Sequence, residues 1–465
     1  MMLRRFILAA VVAVSPLTAA TLRVGDGEPF TSIQAAVDAA NPGDTIQVAA
    51  GLYQENVVIH TAPLALEGAK SADDARGRVA GAPDPAVESI IQPVSGCAVD
   101  LASGSGTISV SGFSLLANAP GAGDAVITSS GAGLVNLTLS HNHVKAAAGS
   151  TGGVLALHTG ATNATLTGNV FIAAESSQST VSLSGTHPFH GLRFIHNHVL
   201  REGALGNSGF KVDGDHNIGP SSLRPPSITG NLFQGHAVAL DGGIRSFSSA
   251  LIGGNTFLGN EIGMAAGGGD SSLQGNTWTS NSQCGLKLFS CAIRIEDNQF
   301  ASNGTDLICE DQAPATPQAH SIRRNRFLSA TAISNNDPDI VLSAGWNYWG
   351  AADGPGGSAP GSGGALTGSG GVTHDPFYAD AAMTQLVVQS TVLAGDTTLE
   401  AGQSISGGDL SLATGSTLTI HEGAALDVET LALPAGSGLV IHRGSALIGR
   451  IEMEPDATLN VVDGD

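Results

Sequence analysis

The chain of 465 residues contains 19 lysines and arginines, 40 aspartates and glutamates, 63 glycines and 4 cysteines. Its net charge of −21 argues against binding to nucleic acid or anionic lipid, because such a surface repels both. Four cysteines in so long a chain exclude a disulfide-rich scaffold.

Residues 1–20 have the features of a secretory signal peptide. Arg4 and Arg5 form a basic start, Phe6–Val14 form a short apolar run, and Thr18–Ala20 form a small-residue cleavage site. The apolar run is too short to span a membrane, and no later segment reads as a transmembrane helix. The sequence therefore predicts secretion to the extracellular space, the cell surface or the periplasm, with no integral membrane segment in the mature chain.

A short amphipathic helix is predicted at about residues 31–40. Thr31 and Gln34 form a capping box, and Ile33 and Val37 lie on one face. Such a helix covers the open apolar end of a solenoid, which would otherwise aggregate edge to edge.

The following chain repeats a unit in which an asparagine is followed, two residues later, by an aromatic or apolar residue. Seven of the 20 aromatic residues occupy this position, and successive asparagines are separated by 27, 28, 34, 24, 21, 22, 27 and 22 residues. These intervals are too short for β-propeller blades, and a unit of this size cannot bury its apolar face alone. The predicted fold is an all-β, single-stranded right-handed parallel β-helix over residues 21–380.

We expect the repeated asparagines to adopt the left-handed conformation at the turns and to hydrogen-bond along the stack. The predicted ladder consists of Asn142, Asn169, Asn197, Asn231, Asn255, Asn276, Asn298, Asn325 and Asn347.

A loop rich in glycine, serine and proline is predicted at about residues 351–371, and a finer β-repeat tail at residues 385–465. Within the tail, Thr417–Gly423 matches Gly438–Gly444 at a spacing of 21 residues. The pattern stops at Asp465, which is compatible with an abrupt end or with truncation of a longer protein.

The segment Pro29–His60 resembles the N-terminal segment of the pectin lyase-like superfamily, and the repeats resemble its parallel β-helix repeat. Trp346–Gly350, with Asp353–Pro355 after it, is similar to a final-coil motif of bacterial secreted and surface β-helix proteins. The resemblance spans about residues 21–380 and implies the fold. The catalytic signatures of pectinesterases, polygalacturonases and pectate lyases are missing from the sequence; Arg224-Pro225-Pro226 resembles the last only superficially.

Two basic residues, Lys211 and Arg245, suggest the site of a polysaccharide lyase. Lys211 follows Asn197 by 14 residues, and Arg245 follows Asn231 by the same interval, so a constant register would stack the two on adjacent coils. By the same rule Asn207 would stack on Asp241. Crowded cations favour a neutral lysine, which can act as the base of a β-elimination, with Arg245 stabilising the developing charge.

Other charged residues complete this hypothesis. Arg193, Arg201 and His216 are candidates for substrate binding. Asp213, Asp215 and Asp241 are candidates for holding Ca²⁺, the one cofactor that the sequence suggests. The alternative is a solvated charged face in which the carboxylates neutralise the two cations.

Two further patterns are weaker. The motifs His141-Asn142-His143 and His196-Asn197-His198 resemble metal sites, but their asparagines belong to the ladder and the coil between them has no histidine. A disulfide within the set Cys284, Cys291 and Cys309 is compatible with their spacing.

The sequence thus predicts a secreted or cell-surface solenoid that contacts extracellular polysaccharide along its face without a standard pectinase site. A polysaccharide lyase acting on uronate polymers and a structural or adhesive surface protein remain as alternatives, because the fold alone does not choose among them.

Overall fold

The computed structural model describes residues 19–78, 82–102, 106–117, 125–130, 134–147, 149–158, 161–174, 179–184, 189–212, 218–219, 224–242, 249–267, 271–289, 293–310, 321–443 and 445–462. In these ranges the chain winds through three long, mainly parallel sheets, as the repeat predicts. No helix in them has the length and apolarity needed to cross a membrane.

Each turn of the winding adds one strand to each sheet. Sheet A contains 14 strands: Thr21–Val24, Thr45–Val48, Leu64–Glu67, Ile108–Ser111, Leu137–Ser140, Thr165–Thr167, Arg193–Ile195, Ser227–Thr229, Leu251–Gly253, Ser272–Gln274, Arg294–Glu296, Ser321–Arg323, Val341–Ser343 and Gly371–Thr373. Sheet B contains 17 strands: Gly51–Tyr53, Ser89–Ile91, Phe113–Ala117, His143–Ala146, Val170–Ala173, His198–Arg201, Leu232–Gln234, Thr256–Leu258, Thr277–Thr279, Gln299–Ala301, Arg326–Phe327, Asn347–Tyr348, Phe377–Tyr378, Gln385–Leu393, Ser404–Leu412, Ala425–Leu433 and Ser445–Met453.

Sheet C contains 13 strands: Val57–Ile59, Val99–Leu101, Ala125–Ser129, Gly153–Leu157, Val181–Leu183, Phe210–Val212, Val238–Asp241, Ile262–Gly267, Cys284–Phe289, Thr305–Glu310, Thr331–Asn335, Pro355–Gly357 and Gly363–Gly368. Two four-stranded sheets are smaller: Leu134–Val135, Ala161–Thr162, Phe189–His190 and Ile218–Gly219 form one, and Thr397–Leu399, Thr417–Ile420, Gly438–His442 and Thr458–Val462 form the other.

The inward side chains of the three sheets form one core that runs from Val24 to Phe377. The aromatics two residues after the ladder asparagines stack in this core, with ring centroids 5.2 Å apart for Phe233 and Phe257 and 4.5 Å apart for Trp278 and Phe300. Stacking at the strand spacing lets each coil bury the ring of the next one.

The nine asparagines form a continuous buried ladder. In each step one side-chain oxygen accepts from both the backbone and side-chain nitrogens of the preceding asparagine; Asn298 Oδ1, for example, lies 2.8 Å from Asn276 N and 3.1 Å from Asn276 Nδ2. Each Nδ2 also donates to a carbonyl of the coil before, so the amide is saturated and its burial is not penalised.

The predicted conformation of the ladder asparagines is wrong. The left-handed residue of each turn is the one before the asparagine, with φ near +60° at His141, Asp297 and Trp346 and glycine at several other coils. An asparagine that bonds three neighbours is held inward, so the tight bend falls on the preceding residue, which faces solvent.

The helix near the N-terminus spans Ile33–Ala39, and its predicted capping box is wrong. Ser32 is the N-cap, and its hydroxyl accepts from Ala35 N at 3.3 Å. The Glu55 carboxylate accepts from the first two helical amides, while Gln34 bonds to Val58 instead of capping the helix. A charged acceptor from the following coil thus replaces the local box.

The glycine-rich segment predicted as a loop contains two strands of sheet C, Pro355–Gly357 and Gly363–Gly368. A Cβ at Gly363 would collide with the Trp349 carbonyl, so glycine lets these strands approach the last coil. Beyond them the tail forms parallel coils with a separate core that includes Leu410, Leu418 and Leu431.

Candidate functional site

A segment that we call the strap, residues 69–78, crosses the outside of sheet B. Hydrogen bonds hold the strap to the turns that connect sheet A to sheet B. Ala75 N donates to Gly168 O at 3.2 Å, and His141 Nδ1 contacts Ser71 O at 2.7 Å. Ala75 also packs on the outward side chains of Val170 and Ile172. The strap therefore builds a wall on an otherwise open sheet.

Beside this wall lies a cleft of about 690 Å³, which we call the B cleft. Its floor is one outward row of sheet B in strict register, formed by Leu116, Lys145, Ile172, Leu200 and Gln234. Gln92 extends the row at its N-terminal end, since the residue before it pairs with Leu115. The row is about 24 Å long at the usual strand spacing.

Charged groups lie along the side of the B cleft away from the strap. Lys145 Nζ donates to Glu202 Oε1 at 2.7 Å, two coils along the helix. Arg201 lies beside this pair, and its Nε donates to Ala204 O at 3.3 Å. The cleft thus combines apolar side chains on its floor, amide groups at its two ends and charged groups along one side. Such a surface suits a long ligand with both apolar and hydroxyl surfaces.

His143 lies between the B cleft and a neighbouring cavity of about 310 Å³ that also contains Arg78, Glu88 and Ser114. Burial lowers the pKa of His143, and the nearby Arg78 guanidinium lowers it further, so the imidazole is neutral at pH 7. In the described part of the chain its Nδ1 has no hydrogen-bond partner. Ser114 donates to Glu88, whose carboxylate lies 3.9 Å from Arg78 Nη1.

The predicted stacking of Lys211 on Arg245 stays a prediction, because Arg245 lies outside the described residues. Lys211 pairs with Asp241 on the neighbouring strand of sheet C, and Ser208 Oγ donates to Asp241 Oδ2 at 2.9 Å. The offset between these coils is 34 residues at the ladder but 30 residues in sheet C, because the intervening turns differ in length. Asn207 therefore does not stack on Asp241.

Two of the predicted substrate-binding residues are described, and they lie on different surfaces. Arg193 is exposed on sheet A, whereas Arg201 lines the B cleft. The predicted base Lys211 points outward from sheet C. Arg245, Asp213, Asp215 and His216 lie outside the described residues, and their roles stay predictions.

The histidine pairs and the cysteines form no metal centre in the part of the chain that is described, where no group of three His, Cys, Asp or Glu side chains is placed to hold an ion. His143 and His198 lie on one outward row with Val170 between them. Cys284 and Cys309 are buried free thiols in different register positions, so the disulfide hypothesis is wrong for this pair; Cys291 lies outside the described residues.

Sequence analysis missed the B cleft, although a signal for it exists. The residue three places after each ladder asparagine faces outward, and Ile172 and Leu200 are apolar at that position. Apolar residues at outward positions of two consecutive coils indicate a covered or ligand-contacting face. The strap itself carries no comparable pattern.

One family model matches part of the chain. A family model described as "Periplasmic copper-binding protein (NosD)" matches residues 190–355, about a third of the chain. The parallel coils of the chain make it a β-helix protein, and over residues 190–355 it is similar to this family. No curated protein matches it.

Two solved structures are distant neighbours of this β-helix protein. DFA-IIIase from Arthrobacter chlorophenolicus A6, solved without its lid, is 13% identical with a TM-score of 0.24, over 93% of this chain and 89% of the other. The Streptococcus pneumoniae surface protein and adhesin PfbA is 10% identical with a TM-score of 0.25, over 92% and 95%.

Proposed function

We propose that this β-helix protein is exported and binds a linear polysaccharide in the B cleft without cleaving it. The observation that carries the proposal is the in-register row from Gln92 to Gln234, a floor about 24 Å long on which Leu116, Ile172 and Leu200 present apolar side chains. Sugar rings present apolar faces to such a floor, and their hydroxyls bond to amides and charged groups at its edges.

We regard a polysaccharide lyase as the second candidate function. Its base was to be Lys211 beside a second cation, whereas the neighbour in register is the carboxylate of Asp241. In the B cleft, the described lysine is likewise paired with a carboxylate, Glu202. A binding role does not require Lys211 or Lys145 to exchange a proton.

Affinity electrophoresis in gels that contain neutral or acidic polysaccharides tests the proposal. We expect retardation in at least one gel, and we expect Lys145→Gln to weaken binding about fivefold, as for the loss of one hydrogen-bonding group. Lys287→Gln is the matched control, because Lys287 also pairs with a carboxylate across coils but lies on sheet C.

Migration that is unchanged in every gel, or equal effects of the two lysine substitutions, would contradict binding in the B cleft. Ultraviolet absorbance of the same mixtures reports unsaturated sugar products. A rise in absorbance would replace the binding role with lyase activity.

A further inference from the structure

The last coils of sheet A carry a second, smaller pocket of about 300 Å³, lined by Glu296, Arg323, Arg324 and Trp346. Its residues belong to the coils of Asn298, Asn325 and Asn347, which lie three to five ladder steps beyond the coil of Gln234 at the end of the B cleft, about 14–24 Å along the helix axis. It therefore shares no residue with the B cleft. We call it the Trp346 pocket.

Arginine is concentrated around the Trp346 pocket although the chain is strongly acidic. Arg323 Nε lies 2.7 Å from Glu296 Oε1, Arg324 Nε lies 2.8 Å from Asp297 Oδ1, and Arg294 lies 3.8 Å from Glu296. Three guanidinium groups thus lie against the carboxylates of Glu296 and Asp297, and the Asp380 carboxylate acts on the neighbouring Tyr378.

Arg323 and Arg324 are each held by a carboxylate and still present N–H groups to solvent. Each is tied to its carboxylate through Nε, and the side chains of Arg323 and Arg324 are 52% and 61% exposed. This leaves the outer ends of both guanidinium groups facing solvent. A guanidinium end binds a planar or tetrahedral oxyanion through two parallel hydrogen bonds.

Trp346 supplies a flat apolar wall beside these cations. Its φ of +62° is a conformation that bulky residues rarely adopt, and glycine occupies the equivalent position in coils such as those of Gly254 and Gly275. One side of the indole packs against Tyr378, with centroids 6.4 Å apart. The ring also packs against the core of the tail, and Trp346 stays partly exposed where it lines the pocket beside Arg323 and Arg324.

We propose that the Trp346 pocket binds a sugar unit that carries an oxyanion, either a carboxylate or a sulfate. The sugar ring packs on the indole, and the anionic group accepts hydrogen bonds from Arg323 and Arg324. This inference rests on the proposed function only in taking a sugar polymer as the class of ligand. The site itself is separate, because none of its residues lines the B cleft.

Intrinsic fluorescence tests this site directly. Of the three tryptophans, Trp278 and Trp349 are fully buried, so a ligand that changes the emission acts at Trp346. The probes are trigalacturonate, a sulfated galactose oligomer and neutral galactotriose. We expect a saturable change with one or both anionic probes, weakened by salt, and none with the neutral one. The two anionic arms distinguish carboxylate from sulfate.

Arg323→Gln and Arg324→Gln are each expected to weaken the fluorescence titration about tenfold, as for the loss of a charge-assisted hydrogen bond. Arg294→Gln is the matched control, since it removes the same charge beside Glu296 without lining the pocket. Arg324→Lys keeps the positive charge but cannot donate two parallel hydrogen bonds to one oxyanion, so it should also weaken the titration. This variant keeps the test valid if Arg324→Gln misfolds. A flat titration with all three probes, or an equal loss in Arg294→Gln, would overturn the proposal.

The outcomes for the two sites are separable. Ala147→Phe, which narrows the B cleft, is expected to leave the Trp346 titration unchanged. If gel retardation fails while Trp346 still titrates, only the cleft proposal fails; in the opposite case only the Trp346 pocket is lost.

Discussion

The backbone of Gly112 passes directly beneath Ser71 of the strap, so closely that a Cβ added to Gly112 would overlap the Ser71 amide nitrogen. Lys70 N donates to Gly112 O at 3.2 Å in the same contact. Gly112 also has a φ of +76°, which disfavours any side chain. The position of the strap, which packs through Ala75 on the floor residue Ile172, therefore depends on this glycine.

We predict that Gly112→Ala displaces the strap and weakens polysaccharide binding, besides lowering the free energy of unfolding by about 2 kcal/mol or more. Gly259→Ala is the matched control: Gly259 has a similar φ of +62°, but a Cβ there would meet nothing within 4 Å. It should cost only the backbone strain, about 1 kcal/mol, and leave binding intact. Urea unfolding and affinity electrophoresis measure the two effects. Equal behaviour of the two variants would show that the strap does not need the close contact.

The asparagine ladder is predicted to be a major source of stability. Asn276→Ala removes the hydrogen bonds from Asn276 Nδ2 to Ile252 O and Asn298 Oδ1. It also leaves the buried backbone and side-chain nitrogens of Asn255 without their acceptor, Asn276 Oδ1. We expect a loss of about 3 kcal/mol in the free energy of unfolding. Asn336→Ala, at an exposed position, should change it by less than about 0.5 kcal/mol. Comparable losses in urea titrations of both variants would contradict this role.

Asp306 predicts an unusual dependence of stability on pH. Burial raises its pKa to about 6, although Ser329 and Asn303 donate hydrogen bonds to it. Between about pH 4 and 6 the folded protein therefore holds a proton that the unfolded chain has released. The contribution of Asp306 to stability is fully present below about pH 4 and is lost as the pH rises through 6.

Replacing Asp306 by asparagine should remove this contribution. We expect the difference in unfolding free energy between about pH 4 and pH 7 to change by about 2–3 kcal/mol relative to the wild type, in the direction of greater relative stability at pH 7. Asp339→Asn, at an exposed position, serves as the control. Parallel pH profiles for wild type and Asp306→Asn would show that the carboxyl is ionised in the fold.

Two buried thiols are predicted to be inert. Burial raises the pKa of Cys284 to about 12 and that of Cys309 to about 11, so almost no thiolate forms near pH 8. A maleimide should label both cysteines only after unfolding in urea, with mass spectrometry of the peptides assigning each site. Labelling of either residue in the native protein, at the rate of an exposed thiol, would show that these coils open.

The repeated asparagine and the aromatic two residues later predicted the coils because both positions face the core, where packing constrains the residue type. A second ladder was missed, although its signal is present: Asn260, Asn281 and Asn303 each follow a ladder asparagine by five residues and bond in series. The same periodic reasoning would have found it.

The register of the charged surface was not predictable in the same way. Turns between sheets B and C vary in length from coil to coil, so counting 14 residues from Asn197 did not give the register of Lys211, which pairs with Asp241. The B cleft depends on an insertion whose path is set by tertiary contacts, such as that of Ala75 with Ile172. The variable turns and the strap leave no period in the sequence.

Isothermal titration with the polysaccharide that is retained most strongly in gels tests the central claim most directly. It compares the wild type with Ala147→Phe, which fills the B cleft, and with Ala301→Phe, which adds the same ring to an outward position of sheet B outside it. Binding that is lost in Ala147→Phe and retained in Ala301→Phe is the predicted result. Equal affinity of all three proteins would contradict binding in the cleft.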